Sequence, residues 1–315
     1  MSSMRSRANA VGRAMVNLAS FSQDRMALDL DEMRAQMGGL ETRITSTLPP
    51  GSIAESEFRV FSQFGEDGII QHLLRHVPIE NETFVEFGVE DYRESNTRFL
   101  LVHDNWRGLI LDGGTAHIEF LRASGLAWRQ QIDAVSAFID TENINRLVRS
   151  AGIEGDIGLL SVDIDGNDYW VIEAIDVISP RILVAEYNSV FGPRAAISVP
   201  YDPHFRRSEA HWSYLYWGAS IAALMAIADR KGYALVGGNK AGNNVFFVRR
   251  DVLGRLPELT PEQAWVPSRF RESRDPQGEL SYVSTHEERV RLIGGLPVVD
   301  VRRGESTTVA TAVGS

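Results

Sequence analysis

The chain has 315 residues, 43% of them hydrophobic, which is enough to bury one large core or two small ones. Its 32 basic and 42 acidic residues give a net charge of −10, which disfavours tight binding to nucleic acid or to an anionic lipid surface. It has no cysteine, which excludes disulfide scaffolds, zinc–thiolate sites and thiol nucleophiles.

Residues 1–50 differ in pattern from the rest of the chain. Their basic start lacks the unbroken apolar stretch of a signal peptide, and no later run reaches the length of a membrane span, so we expect a cytoplasmic protein. Apolar residues then recur at alternating spacings of four and three, which predicts a helix with a heptad seam: Met26, Leu30, Met33, Met37, Leu40 and Ile44. Two outcomes stay open for this helix, which are packing on its own domain and formation of a homo-oligomer.

From residue 58 strand and helix patterns alternate, which is typical of a parallel sheet covered by helices on both faces. The predicted strands are Thr83–Phe87, Leu109–Leu111, Trp128–Ile132, Gly158–Val162 and Arg181–Ala185, and then Tyr233–Val236 and Asn244–Arg249 as an antiparallel hairpin. We therefore predict an α/β, Rossmann-like domain over residues 51–250. Residues 1–50 form a helical extension, and residues 251–315 form a cap or interface segment that ends in a flexible tail.

Ligands of such sheets bind beyond the carboxyl ends of the strands, so polar residues there are candidate ligand contacts. After the first strand, Gly88 lets the backbone approach a ligand, and Glu86 or Glu90 can accept a hydrogen bond from an amino group. After the second strand, Asp112-Gly113 has the position of an acid that binds both hydroxyls of a ribose. Asp133, after the third predicted strand, is a candidate for an adenine amino group. The structural alternatives are a tight turn at Gly88, a solvated acid at Asp112 and a turn residue at Asp133.

Oxygen-bearing side chains also follow the fourth and fifth strands: Asp163, Asp165, Glu186 and Asn188. Carboxylate and amide oxygens are the ligands that Mg²⁺ and Mn²⁺ prefer. Repulsion among three carboxylates raises their pKa values unless a cation neutralises them, so we predict a divalent cation here. The alternative is that some of these acids cap the helix that begins near Asp168.

Five segments resemble the FkbM-type branch of S-adenosylmethionine-dependent methyltransferases: SQFGEDGI at 62–69, FVEFGVEDYRESNTRFLL at 84–101, NWRGLILDG at 105–113, LLSVDIDGNDYWV at 159–171 and VAEYNSVFGP at 184–193. The resemblance implies a class I methyltransferase fold, a mostly parallel seven-stranded sheet in which the last strand inserts antiparallel beside the fifth. It also implies an S-adenosylmethionine pocket that includes Gln63, Glu86, Gly88, Asn96, Asp112 and Asp163. The family's acid-x-glycine-alanine-asparagine stands here as E86-F-G88-V-E90, and its Glu-Pro as Asp112-Gly113.

The acceptor implied by this resemblance is a hydroxyl of a sugar, a glycan or a glycosylated natural product. Related macrocin-type enzymes hold magnesium with acids after the fourth and fifth strands and place a histidine base close to the fourth-strand acid. This chain has no histidine there, so the catalytic candidates are Asp163, Asp165, His204 and His211. A second hypothesis is a metal-dependent glycosyltransferase that uses D163-I-D165 to hold a nucleotide sugar.

The long segment after the fifth strand is rich in aromatic and basic residues: Trp212, Tyr214, Tyr216 and Trp217, with Arg194, Arg206 and Arg207. Aromatic rings there can stack on a sugar, and the arginines can hold a phosphate or carboxylate. The alternative is a lid that packs its aromatic side chains on the domain.

Overall fold

The computed structural model describes residues 26–269 and 272–314. Its strands are β1 (Thr83–Phe87), β2 (Arg107–Asp112), β3 (Ile132–Ser136), β4 (Gly155–Val162), β5 (Ile178–Glu186), β6 (Ile197–Ser198), β7 (Tyr233–Gly238), β8 (Asn244–Arg249), β9 (Pro297–Asp300) and β10 (Glu305–Thr308). Its helices are α1 (residues 26–44), α2 (Glu66–His76), α3 (Arg98–Val102), α4 (Thr115–Ala123), α5 (Leu126–Arg129), α6 (Ile144–Ser150), α7 (Asp168–Ala174), α8 (Arg207–Ala210), α9 (Ile221–Arg230), α10 (Pro261–Ala264), α11 (His286–Ile293) and α12 (Val309–Val313).

The main sheet has seven strands in the order β3-β2-β1-β4-β5-β8-β7. Strand β8 runs antiparallel to both of its neighbours, whereas the pairs from β3 to β5 are parallel. The last strand therefore inserts antiparallel beside the fifth, as the resemblance implied. The fold is the mixed α/β, Rossmann-like arrangement of class I methyltransferases, and the predicted fold class is confirmed.

Side chains alternate between the two faces of this sheet and build a hydrophobic core on each. In β1, for example, Phe84 belongs to the cluster that contains Ile69 of α2 and Leu101 of α3. Its neighbour Val85 belongs to the cluster that contains Val148 of α6. Helices therefore cover both faces, which leaves the carboxyl edge of the parallel strands for a site.

The third strand differs from the prediction. Residues Leu126–Arg129 form the short helix α5, and the strand begins only at Ile132, which pairs with Gly108 of β2. The β-propensity of Trp128 favoured a strand, but its side chain is 77% exposed and packs against no core. Ile132 is the first residue that pairs with β2, and Ile132 and Ala134 pack against the cluster that contains Phe84.

The C-terminal segment is folded over its described residues. Strands β10, β9 and β6 form a small sheet, and Val309 of α12 is completely buried against Ile293 of α11. The sequence GESTTVATAVGS is polar enough to predict a flexible tail, but its threonines pair in β10 and cap α12. Within the described residues, no helix is long and apolar enough to cross a membrane.

Helix α1 packs on the domain through a face that the heptad pattern did not indicate. Ala35 and Gly38 are buried against the domain, whereas the six apolar residues of the predicted seam are exposed. Packing on the domain, one of the two expected outcomes, is therefore observed, and oligomerisation stays a prediction. Residues 1–25 of the predicted extension lie outside the described residues.

Candidate active site

A cavity of about 310 Å³ opens at the carboxyl edge of β1, β4 and β5. It lies at the lower end of the range of small-molecule sites, about 300–1,000 Å³. Six of the nine residues predicted to bind a cofactor line it: Gln63, Glu86, Gly88, Glu90, Asn96 and Asp163. Arg207 and Trp217 of the long segment after β5 close one side, and Glu272 and Arg289 of the C-terminal segment also line it.

Glu86, near the end of β1, organises the loop that follows it. Its buried carboxylate accepts hydrogen bonds from the backbone N–H groups of Asn96, at 2.8 Å, and Thr97, at 3.1 Å. The hydroxyls of Ser95 and Thr97 also donate to it. Burial raises the pKa of Glu86, and these four donors partly offset that rise. Both oxygens are thus occupied by the loop, so Glu86 shapes the cavity wall.

Gly88 lines the cavity and is required by a close contact within the chain. Its φ is +72°, and a Cβ at this position would lie 1.5 Å from the backbone oxygen of Asp163. Glycine is therefore required because the loop after β1 crosses closely over the end of β4. This contact between two segments of the chain agrees with the tight-turn alternative, and the approach of Gly88 to a ligand stays a prediction.

The residues predicted for ribose and adenine lie outside the cavity. The carboxylate of Asp112 accepts from the backbone N–H groups of Glu90, at 2.8 Å, and Gly114, at 2.6 Å, and is almost fully buried. Gly113 next to it is exposed. Asp133 is also exposed and is the second residue of β3, far from the carboxyl end of that strand. The adenine prediction for Asp133 is wrong in its premise, because the strand begins where it was expected to end.

Asp163 after β4 and Glu186 at the end of β5 are neighbouring carboxyl groups that both line the cavity. Burial is the main cause that raises both pKa values well above their usual range. The neighbouring charges of Asp165 and Asp168 raise them further, and the Glu186 pKa is also raised by Asp163 itself. Burial and like charge therefore both favour the protonated forms of this pair.

Asp168, the first residue of α7, holds the loop between β4 and that helix. It is fully buried and accepts from the N–H groups of Ile164 and Gly166, both at 2.9 Å. Burial raises its pKa to about 6. The helix-cap alternative therefore holds in part, because an acid at the start of α7 ties down its own loop, although that acid is Asp168 and none of the four predicted metal ligands.

The four predicted metal ligands do not form a metal site. Asn188 donates its side-chain N–H groups to the carbonyls of Leu215 and Trp217, both at 2.9 Å, and its Oδ1 accepts from Val190. Asp165 is exposed and pairs with Arg207. Within residues 26–269 and 272–314, no three acidic or histidine side chains are grouped closely enough to hold an ion. The donor set therefore does not fit a divalent cation, and only Asp163 and Glu186 face each other as predicted.

Arg207 of α8 supplies the positive charge that the sequence analysis assigned to a metal. Its guanidinium lies 2.8 Å from Asp165 and 3.5 Å from Glu272, and its Nε donates to the carbonyl of Tyr214 at 2.9 Å. Burial lowers its pKa, but the carboxylates of Asp165, Glu186 and Glu272 outweigh this effect and raise it overall. The guanidinium also stacks over the ring of Trp217 at 4.9 Å. The sequence pattern predicts Arg207 only as a contact for a phosphate or carboxylate of the acceptor.

Neither candidate histidine lines the cavity. His204 is exposed, and His211 is held by a 2.7 Å hydrogen bond between its Nδ1 and the hydroxyl of Ser213. Burial lowers the pKa of His211. Of the four catalytic candidates, the structure brings Asp163 and Asp165 to the cavity.

The aromatic residues of the long segment mainly pack on the domain. Tyr216 and Trp217 are buried, and Tyr216 belongs to the hydrophobic cluster under α11 and α12. Arg274 covers the ring of Tyr214, and Trp212 is partly exposed. This favours the lid alternative, with Trp217 as the aromatic side chain of this group that reaches the cavity.

Comparisons with known proteins do not assign a family. No family model and no curated protein matches the chain. Among solved structures, it is similar to the N-terminal domain of EvdMO1 with SAH bound (13% identity, TM-score 0.40, 62% of this chain and 83% of that one). It is also similar to an O-methyltransferase from Bacillus cereus in complex with SAH (11%, 0.39, 70% and 89%) and to the CurJ carbon methyltransferase (11%, 0.38, 58% and 52%). These likenesses are too distant to assign a family.

Proposed function

We propose that this protein is an S-adenosylmethionine-dependent O-methyltransferase whose acceptor is a hydroxyl of a sugar, a glycan or a glycosylated natural product. The observation that carries the proposal is an acidic cavity at the carboxyl edge of β1, β4 and β5, in a sheet with the class I strand order. Ligands of open α/β sheets bind at this edge. The segments that resemble the FkbM-type family include the loops that line this cavity.

The charge of the cavity supports a cationic ligand. Seven acidic side chains line it against two arginines: Glu86, Glu90, Glu94, Asp163, Asp165, Glu186 and Glu272. S-adenosylmethionine carries a sulfonium and an ammonium group against one carboxylate, so its net charge complements this lining. Glu90 and Asn96, beside the loop that Glu86 organises, are the proposed contacts of its amino-acid part. Asp112 remains the proposed contact of the ribose. To bind the ribose hydroxyls, its carboxylate would have to give up the hydrogen bond from the backbone N–H of Glu90.

The Asp163–Glu186 pair is the proposed general base. When bound, S-adenosylmethionine would supply a sulfonium methyl group that a nucleophilic oxygen can attack, with S-adenosylhomocysteine as the leaving group. The acceptor hydroxyl donates its proton to the pair as the new C–O bond forms, and the electrons of the broken C–S bond stay on sulfur. A base works best when its pKa is close to the working pH, and burial has raised the pKa of this pair in that direction.

Arg207 is proposed to keep this pair in its singly charged form. Its positive charge lowers the pKa of both Asp163 and Glu186, which opposes the effect of burial. Without such a cation, two buried carboxyl groups beside Asp165 and Asp168 would hold both protons and could not accept another. The arginine thus takes the electrostatic role that a metal has in related enzymes.

Calorimetry with S-adenosylhomocysteine tests the cofactor, and transfer of a labelled methyl group to a panel of glycosides tests the acceptor. We expect binding with one site per chain and transfer to at least one hydroxyl compound. Absence of cofactor binding would refute the proposal as a whole. Cofactor binding with transfer only to carbon or nitrogen acceptors would refute the O-specificity alone.

The glycosyltransferase hypothesis receives no support from the geometry. It needs Asp163 and Asp165 to hold one metal ion together. Asp163 instead lies beside Glu186, and Asp165 pairs with Arg207. Tight binding of a nucleotide sugar without binding of S-adenosylhomocysteine would reverse this choice.

A further inference from the structure

Helix α1 is held against the domain by one face. Ala35 is buried, and a Cβ on Gly38 would lie 2.5 Å from the side chain of Val60 and 2.8 Å from the ring of Phe99. Small residues therefore let the helix approach closely. Asp31 adds a 2.5 Å ion pair with Arg98, whose side chain is only 10% exposed. The rotational setting of the helix is fixed by these contacts.

The heptad seam consequently faces away from the domain. At 3.6 residues per turn, Met33 and Met37 lie roughly 160° around the helix from Ala35, and Leu30 and Leu40 roughly 140°. All six seam residues are large, apolar and 49–69% exposed: Met26, Leu30, Met33, Met37, Leu40 and Ile44. A continuous exposed stripe of this kind is comparable in size to the largest apolar patch of a typical monomer, and such patches are often functional.

We propose that this stripe is the interface with a second copy of the chain, formed by a parallel two-stranded coiled coil. A heptad seam buries itself best against an identical seam, because knobs and holes then match along its length. A large apolar side chain has roughly 100 Å² of apolar surface, as its transfer free energy indicates. With six such side chains on each helix at the observed exposed fractions, two stripes that cover each other bury roughly 700 Å² of apolar surface in total.

This area is sufficient for a specific dimer. Homodimer interfaces are about 65% apolar, so the total buried surface comes to roughly 1,100 Å². That exceeds the roughly 1,000 Å² expected of a biological interface. The dimer contact lies on the side of α1 opposite its docking face, so it does not compete with the packing of the helix on its own domain.

The charges beside the stripe favour the parallel orientation. With Leu30 and Met37 at heptad position a, Asp29 is at g and Arg34 is at the following e. In a parallel pair, Asp29 of each copy lies opposite Arg34 of the other, which gives two ion pairs. In an antiparallel pair centred on Ala35, the two Arg34 side chains would lie near each other. Both residues are exposed, and the contact of Arg34 with Asp31 on its own helix is long, at 3.9 Å, so it can give way to these pairs.

Sedimentation velocity of the full-length chain tests the proposal. We expect the wild-type protein to sediment at twice its mass of 35.0 kDa, and the L30E/M37E variant at 35.0 kDa. Glutamate is a good helix former, and both positions are exposed, so the variant should keep its fold and its thermal unfolding temperature. The matched control is F120E/W128E, which makes the same change at two exposed aromatic residues on α4 and α5 and should stay dimeric.

Charge variants test the orientation. D29R should weaken the dimer, and D29R/R34D should restore it, because the ion pairs re-form with exchanged partners. A wild-type chain that stays monomeric would overturn the proposal, as would a dimer that L30E/M37E leaves intact. A dimer that D29R/R34D fails to restore would overturn the parallel arrangement.

Discussion

Replacement of Arg207 by glutamine should move the acid limb of the pH–rate profile to higher pH. The guanidinium lowers the pKa of both members of the Asp163–Glu186 pair. The pair accepts a proton only in its singly charged form, so activity rises with pH through the first apparent pKa of the pair. Removal of a nearby positive charge disfavours that anion and raises this pKa.

The size of the shift follows from Coulomb's law. At an effective dielectric constant of about 20, two unit charges interact by about 4 kcal/mol at about 4 Å and by about 2 kcal/mol at twice that distance. One pKa unit corresponds to about 1.4 kcal/mol, so a charge of this kind in the same cavity should move the acid limb by at least about one pH unit. The side chain of Arg207 is only 16% exposed, so solvent screens little of this effect.

The assay is kcat/KM for methyl transfer as a function of pH in the wild type and in R207Q, R207K and R206Q. R207K keeps a positive charge and should shift the limb less than R207Q. Arg206 is exposed and does not line the cavity, so R206Q should follow the wild type. A lower plateau in R207Q with an unmoved acid limb would show that Arg207 only supports the structure, and would refute the electrostatic argument.

Four further predictions concern the same site. D163N should reduce turnover at least about 100-fold while S-adenosylhomocysteine still binds in calorimetry, and an unchanged rate would remove Asp163 from the base. Exhaustive chelation should leave the rate intact because the donor set does not fit a metal, so a rate that only Mg²⁺ restores would contradict the geometry. H204A and H211A should each keep wild-type kcat, since neither histidine reaches the cavity, and loss of activity in one would identify a base missed here. G88A should lower the free energy of unfolding in urea by more than about 2 kcal/mol, because its Cβ meets the Asp163 carbonyl at a positive φ, and wild-type stability would show that the β1 loop can move away.

The sequence predicts the core of the fold well because burial and secondary structure agree there. Strand β1 was predicted with the bounds Thr83–Phe87, and all five of its residues are buried. Strand β8 was also predicted correctly as Asn244–Arg249, since a turn-rich segment marks its start. The predicted bounds of the third strand lie too early in the chain. Trp128 has a high strand propensity but an exposed position, and propensity alone does not indicate which residues become buried in the sheet.

The candidate site was predicted less completely because its acids find partners that are distant in the sequence. The rule that ligands bind at strand ends correctly brought Glu86, Asp163 and Glu186 to one cavity. It does not predict that loop N–H groups donate hydrogen bonds to Glu86, or that Asn188 donates hydrogen bonds to two carbonyls of the long segment. These hydrogen bonds depend on how loops fold back on the edge of the sheet, and the local sequence pattern does not indicate that.

The cluster of acids shows that a sequence can predict that negative charge must be compensated without predicting which group compensates it. Three carboxylates at adjacent strand ends require charge compensation, and their pattern in the sequence predicts a cation from outside the protein. The structure places the guanidinium of Arg207 there instead, 42 residues after Asp165 in the chain, and burial favours the protonated forms of Asp163 and Glu186. The two solutions differ chemically, because a metal would acidify the acceptor hydroxyl, whereas an arginine keeps a carboxylate ionised so that it can accept the proton. Two experiments therefore distinguish the metal from the arginine. Chelation should lower the rate only if a metal takes part, and R207Q should move the acid limb of the pH profile only if Arg207 keeps a carboxylate ionised.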